Sequence, residues 1–165
     1  MDIERVAVAN RSMQLVVFRI GQEEYGVPIQ FVKEIIGKPD ITHLPNAPEF
    51  VLGVINLRGQ IIPILSLHQR FRIGGAVEGE TKVVVVEYGG LTVGMEVHEV
   101  SEVLTLAGER ISPTPPMATT IDSGFISGVG KLQDRLLIIL DVERILSDEE
   151  ASLLSTHAQS VDGET

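Results

Sequence analysis

Apolar positions in this chain come in short bursts closed by turn residues, the pattern of many short β-strands. The bursts predict strands at Leu15–Ile20, Tyr25–Ile29, Val51–Asn56, Ile61–Leu67, Lys82–Tyr88, Leu91–Val97, Val100–Leu106, Ile126–Lys131 and Arg135–Asp141. The segments between them carry turn chemistry. Gly89-Gly90 suits a two-residue hairpin, because such turns need positive φ at both central positions. Arg58-Gly59 and Gln133-Asp134 bend two further strand pairs. Val and Ile together number 37 against 16 Leu, and β-branched side chains favour the extended backbone. An all-β sandwich or barrel follows.

Two runs, Val83–Val86 and Leu136–Leu140, are apolar without alternation. Both faces of such strands must be covered. Two small barrels packed together would do this, one face inside its own barrel and the other at the junction. Helix is scarce. Asn46-Ala47-Pro48-Glu49 resembles a capping box and predicts a short helix over Pro48–Leu52. Helical spacing over Asp141–Leu153 predicts a C-terminal helix. Residues 1–12 are expected as a mobile N-terminal tail, residues 13–150 as one domain, and residues 151–165 as an acidic C-terminal tail.

The chain is partly a copy of itself. Gly26–Ile36 overlays Gly94–Leu104 at an offset of 68, and Phe50–Val54 overlays Phe125–Val129 at an offset of 75. Leu57–Leu67 overlays Leu132–Val142 at the same second offset, the extra residues falling in the Pro-rich stretch 112–124. The repeats run over about 15–72 and 81–146 and predict pseudo-two-fold symmetry; whether strands cross between lobes is left open. Glu34 matches Glu102 in the second copy, but Arg58 matches Gln133. That asymmetry suits a role for Arg58 outside the fold; the alternative is a surface ion pair with Glu34.

Charge and chemistry narrow the function. The net charge is −10, and five acids with no Lys or Arg lie from Asp148 onward, so half of it sits in the last 18 residues. Acidity argues against nucleic-acid binding, which relies on Lys and Arg neutralising phosphates. The absence of cysteine excludes a disulfide framework, a thiol nucleophile and a zinc–thiolate site. No apolar run approaches the roughly 18–20 residues of a membrane helix. The opening residues lack a basic segment followed by an apolar one, so no secretory signal is expected. His43, His68, His98 and His157 show no metal-ligand spacing. Gly124–Lys131 departs from a phosphate-binding loop at Phe125 and at Leu132. No Gly-x-Ser-x-Gly elbow occurs. A full β core without a catalytic constellation suits a binding module, with no catalytic residues, no cofactor and no metal expected.

Three segments carry a family resemblance: Tyr25-Gly-Val-Pro-Ile-Gln-Phe-Val-Lys-Glu-Ile35, Gly53-Val-Ile-Asn-Leu-Arg-Gly-Gln-Ile-Ile-Pro-Ile64 and Asp134-Arg-Leu-Leu-Ile-Ile-Leu-Asp141. From about Leu15 to Leu146 the chain resembles the CheW family of chemotaxis coupling proteins. The resemblance implies an all-β fold of two packed five-stranded Src-homology-3-like β-barrel lobes with a short C-terminal helix. It also implies a non-catalytic cytoplasmic adaptor, recruited to membrane-associated arrays, that couples methyl-accepting chemoreceptors to the CheA histidine kinase. The implied partners are the regulatory domain of CheA and the receptor's cytoplasmic hairpin tip, with no nucleic acid and no direct membrane insertion. Glu34 and Arg58 match the family's partner-binding positions; Asn56 lies in the most specific motif, Ile55-Asn-Leu-Arg-Gly59 with a following proline, and Gly53 lies just ahead of it in the same segment. Val32, Ile35, Val100 and Val103 are the candidates for an apolar groove that takes the receptor tip; plain core is the alternative for Val100 and Val103. The chain departs from the family at Ser66-Leu67-His68, where Asp-Leu-Arg is common, which would alter a local ion pair. With no receiver, phosphotransfer or ATP-binding segment in this sequence, neither a CheV-type fusion nor the kinase itself is expected. The competing readings are an adaptor of the same family in a pilus-motility or other chemosensory pathway, and, from a different class, a small-ligand-binding β-barrel.

Overall fold

Each apolar burst becomes a strand, and the side each residue faces decides which core it joins. The computed structural model describes residues 12–73, 79–113 and 123–146. In chain order these form β1 (Ser12–Ile20), β2 (Glu23–Pro28), β3 (Val32–Gly37), β4 (Val51–Leu57), β5 (Gln60–Ser66), α1 (Leu67–Arg70), β6 (Lys82–Tyr88) and β7 (Leu91–Val97). Then follow β8 (Glu99–Ala107), β9 (Ile111–Ser112), β10 (Ile126–Lys131), β11 (Leu136–Leu140) and α2 (Val142–Leu146).

The strands make two sheets. Lobe I has the order β8-β1-β2-β11-β10-β9, and lobe II has the order β3-β6-β7-β5-β4. The repeat offsets pair β1 with β6, β2 with β7, β3 with β8, β4 with β10 and β5 with β11. Under that correspondence the two orders are the same. Lobe I adds the two-residue β9 to the expected five strands; lobe II has in its place a single bridge between Thr42 and Val54. The halves are interleaved: each lobe combines the first two strands of one repeat with the later strands of the other. Strands therefore do cross between lobes. Each lobe joins the two contributions twice, once by an antiparallel pair (β1 with β8, β3 with β6) and once by a parallel pair (β2 with β11, β5 with β7); the pairings within a contribution are antiparallel.

The continuous apolar runs are buried on both sides. Val83 and Val85 of β6 join Ile55, Ile62 and Ile64 inside lobe II, while Val84 and Val86 face the junction. Likewise Leu137 and Ile139 of β11 pack with Leu15, Val17 and Leu106 inside lobe I, while Leu140 reaches the junction. The junction is the largest core. It carries an aromatic chain from Phe18 through Tyr25 and Phe71 to Phe125, with ring centroids 5.9–6.3 Å apart. The Arg70 guanidinium covers the end of that chain, 4.3 Å from the Phe125 ring centroid. Burial, followed by the charge and hydrogen bond of Glu23, raises the Tyr25 hydroxyl above its ordinary range.

Both helices start from the same device. The Ser66 hydroxyl accepts from Gln69 N at 3.2 Å, and the Asp141 carboxylate accepts from Arg144 N at 3.1 Å. Ser66 thus caps the first helix, and the buried His68 follows it.

Two expectations fail. The helix over Pro48–Leu52 does not form: Asn46 has φ 63°, which is not the extended conformation of an N-cap. Instead Val51 N donates to Pro48 O at 2.9 Å in one tight turn, and Val51 then pairs with Leu65 in the sheet. Sheet pairing overrides a five-residue helix that is too short to sustain itself. The second concerns Val32–Gly37, not among the expected strands, which forms β3. The C-terminal helix is described to Leu146; its expected continuation and both tails lie outside the described residues. No helix among the described residues is long and apolar enough to cross a membrane.

Candidate partner-binding site

β4 and β5 meet in a two-residue turn, with Leu57 opposite Gln60. Arg58 and Gly59 have φ of 52° and 86°, the positive pair this hairpin requires. The Asn56 side-chain oxygen accepts from Gly59 N at 2.8 Å and holds the turn closed. Arg58 is thereby carried to a hairpin tip, its side chain 72% exposed.

β3 is the opposite edge of the same sheet, yet its Glu34 reaches Arg58. The pair is bidentate: Arg58 Nη1 donates to Glu34 Oε2, and Nη2 donates to Oε1 at 2.9 Å. The sheet therefore curls until its two edges are bridged by a charge pair. The hydrogen bond from Arg58, and its charge, hold the Glu34 carboxyl below its usual range and raise Arg58 further.

Lobe I repeats the bridge with a different residue. Glu102 of β8 meets Arg135 Nη2 at 3.1 Å, and Arg135 also pairs with Glu24 and with Asp134. Gln133 was the expected counterpart of Arg58, but Arg135, two positions on, does the work. Both lobes use an arginine, so the Arg58/Gln133 asymmetry is one of position and does not by itself mark a function. Setting changes more than type. Arg135 is 38% exposed and held by three carboxylates, whereas the more exposed Arg58 meets one.

The remaining candidates separate. Val32 and Val100 are half-buried, packed against the shared junction core from different sheets. Ile35 and Val103 occupy equivalent positions on the edge strands β3 and β8 and are 41% and 55% exposed. Gly53 is buried, with φ 148°. A Cβ there would lie 2.1 Å from Thr42 O, so the glycine admits the bridge between Thr42 and Val54. Asn56 and Gly53 shape the backbone under the site, Glu34 is half-buried, and Arg58 and Ile35 are exposed.

One feature escaped the sequence reading. A groove of about 570 Å³ on lobe I is floored by Val129, Leu136 and Ile138 and rimmed by Glu23, Glu24, Lys131 and Arg135. Its signal was Leu136, an apolar residue at a strand start that is 63% exposed. Among the described residues no cluster of three or more His, Asp or Glu side chains is arranged to hold a metal ion.

Comparison with known proteins sets these features in a family. The model of the CheW-like domain matches residues 14–150. A chemotaxis protein CheW of Klebsiella aerogenes is 38% identical over 159 residues, covering 96% of each chain. One from Rhizobium meliloti is 34% identical, covering 87% of this chain and 93% of its own. The crystal structure of the scaffolding protein TtCheW from Thermoanaerobacter tengcongensis superposes with a TM-score of 0.78 at 36% identity, over 85% of this chain and 91% of that one.

Proposed function

The chain belongs to the family of CheW-like domains, and from that membership we propose that it is a chemotaxis adaptor, a scaffold that couples chemoreceptors to the CheA kinase. Its partners are the regulatory domain of the kinase and the hairpin tip of the receptor's cytoplasmic part. It works by presenting surfaces and carries out no chemistry of its own. It acts in the cytoplasm at membrane-associated arrays.

The observation that carries this reading is the Glu34–Arg58 pair. An arginine held by one carboxylate at a hairpin tip keeps most of its surface open to solvent. A partner carboxylate can share its guanidinium without leaving Glu34 unpaired, and such rim charges set specificity and encounter rate. Ile35, on the opposite, exposed face of the same edge strand, supplies apolar area for a partner that wraps that edge.

Affinity measured by surface plasmon resonance tests this, with the full chain against a receptor cytoplasmic fragment and against the kinase regulatory domain. Arg58→Glu is expected to weaken at least one of the two at least tenfold while the melting temperature stays within about 2 °C. Unchanged affinity for both partners, or a large fall in melting temperature, would overturn the assignment.

A further inference from the structure

The chain crosses from lobe II to lobe I at a single residue, His98, which lies between β7 and β8. Its backbone binds the end of β1 and its ring binds the turn between β1 and β2. His98 N donates to Arg19 O at 2.9 Å, and the ring Nδ1 accepts from Gly21 N at 2.7 Å. The bond to Gly21 fixes the imidazole as neutral, with its hydrogen on Nε2. That Nε2 is buried and has no hydrogen-bond partner among the described residues.

The other side of the ring faces His68 of α1, with centroids 5.5 Å apart. Arg19 from β1, Lys82 from β6, Glu99 from β8 and Glu80 surround the site. Arg19 is tied to Glu99 at 3.3 Å. Burial first, then the nearby His68 and Arg19, lower the His98 pKa below the ordinary value.

The first crossover offers a comparison within the same molecule. There the repeat places Gln30 where His98 stands and Glu143 where His68 stands. Gln30 is exposed and Glu143 is an acid, so the paired imidazoles belong to the second crossover alone. The Ser66-Leu67-His68 departure from the family pattern supplies one of them.

We propose that His98 and His68 form a pH-sensitive latch at the lobe crossover, closed when His98 is neutral and opened when its Nδ1 is protonated. Protonation turns Nδ1 from an acceptor into a donor, so it cannot keep the Gly21 N–H. Burial and the nearby His68 and Arg19 disfavour the added charge. The β1–β2 turn is then released from the β7–β8 turn. The sign follows from the native ring being harder to protonate than the unfolded one. Stability is fully present above the ordinary histidine pKa of about 6.5 and is lost as pH falls below it towards the native value.

The test uses the ¹⁵N-labelled full chain between pH 7.5 and 5.5, above the range of most carboxylates. Gly21 amide protection, corrected for intrinsic exchange, is expected to fall about tenfold or more. The melting temperature is expected to drop by about 2–4 °C. His98→Asn places an oxygen that does not titrate where Nδ1 was, and it should flatten both profiles. His68→Gln removes the neighbouring imidazole that disfavours charge on His98 and should raise the midpoint pH of opening; this variant decides the matter if His98→Asn does not fold. His43→Gln, at an exposed position, should change neither profile. Constant Gly21 protection, a transition that survives in His98→Asn, or an unmoved midpoint in His68→Gln would overturn the latch.

Discussion

Gly53→Ala separates a residue that builds the site from one that touches a partner. The added Cβ would lie 2.1 Å from Thr42 O and 2.7 Å from Ile41 Cγ2, and the φ of 148° disfavours any side chain. Relief requires the segment at Thr42 to move away. That breaks two hydrogen bonds, Thr42 N to Val54 O at 2.8 Å and Val54 N to Thr42 O at 2.9 Å. At about 1 kcal/mol each the bonds contribute roughly 2 kcal/mol. Backbone strain adds about 1–3 kcal/mol. The expected loss is therefore about 3–5 kcal/mol, a large share of the roughly 5–15 kcal/mol of a typical domain. The repeat supplies the control. Gly128 takes the same place in lobe I, but a Cβ there meets Ser112 O at 3.1 Å and its φ is not in the positive region. Gly128→Ala should cost no more than about 1 kcal/mol, within what small shifts absorb. Urea unfolding of both full-length variants measures the difference. Equal losses, or a Gly53→Ala loss below about 1 kcal/mol, would refute the reasoning. Partner affinity of the folded Gly53→Ala protein should match that of the parent; a loss would return Gly53 to the contact surface.

Two more outcomes follow from packing and exposure. Gly94→Ala in β7 would place a Cβ 2.6 Å from Ile64 Cδ1 and 2.7 Å from Val83 Cγ1, inside the lobe II core. Overpacking of this kind costs about 1–3 kcal/mol, read as a lower urea midpoint; an unchanged midpoint would show that the core has slack the structure does not have. Ile35→Asp and Val103→Asp alter exposed edge-strand positions and should leave stability within about 0.5 kcal/mol. Each should weaken binding of the receptor fragment by calorimetry, and an unchanged affinity removes that residue from the contact surface.

Much of the strand pattern was legible because burial on two faces leaves a plain mark. Val83–Val86 is an apolar run for the same reason that it is a strand between two cores. The hairpin at Gly89-Gly90 was legible from turn chemistry, and both residues do take positive φ, 59° and 82°. What escaped was decided by long-range contacts. β3 reads Val-Lys-Glu-Ile-Ile-Gly, with one charge turned inward to meet Arg58, so its alternation was broken where it served the ion pair. The internal repeat held the missing clue, since Val32–Ile36 overlays a segment read as strand. The Pro48 helix failed through Asn46, whose left-handed backbone no local rule required. Of the candidate site, the Glu34–Arg58 contact was legible and the substitute role of Arg135 was not. A repeat alignment compares equal positions, whereas a guanidinium spans several ångströms and can serve from two residues away.

The interleaving of the halves explains how a short chain keeps these sites in register. Among the described residues each lobe's own core cluster has five buried residues, Leu15, Val17, Leu106, Leu137 and Ile139 in one and Ile55, Ile62, Ile64, Val83 and Val85 in the other. Cores of that size do not stabilise a lobe alone, because backbone ordering costs about 1–2 kcal/mol per residue. The shared core of eighteen buried residues, drawn from both sheets, supplies what each lobe lacks. A strand pair cannot leave one lobe without drawing on the crossover that ties it to the other. The Glu34–Arg58 rim, the exposed Ile35 and the His68–His98 contact therefore sit on one rigid body, and a docking surface held by rigid elements keeps its geometry better than one built on loops. Any loosening at the His98 crossover acts on both lobes at once, since that residue is where the second repeat passes from one sheet to the other.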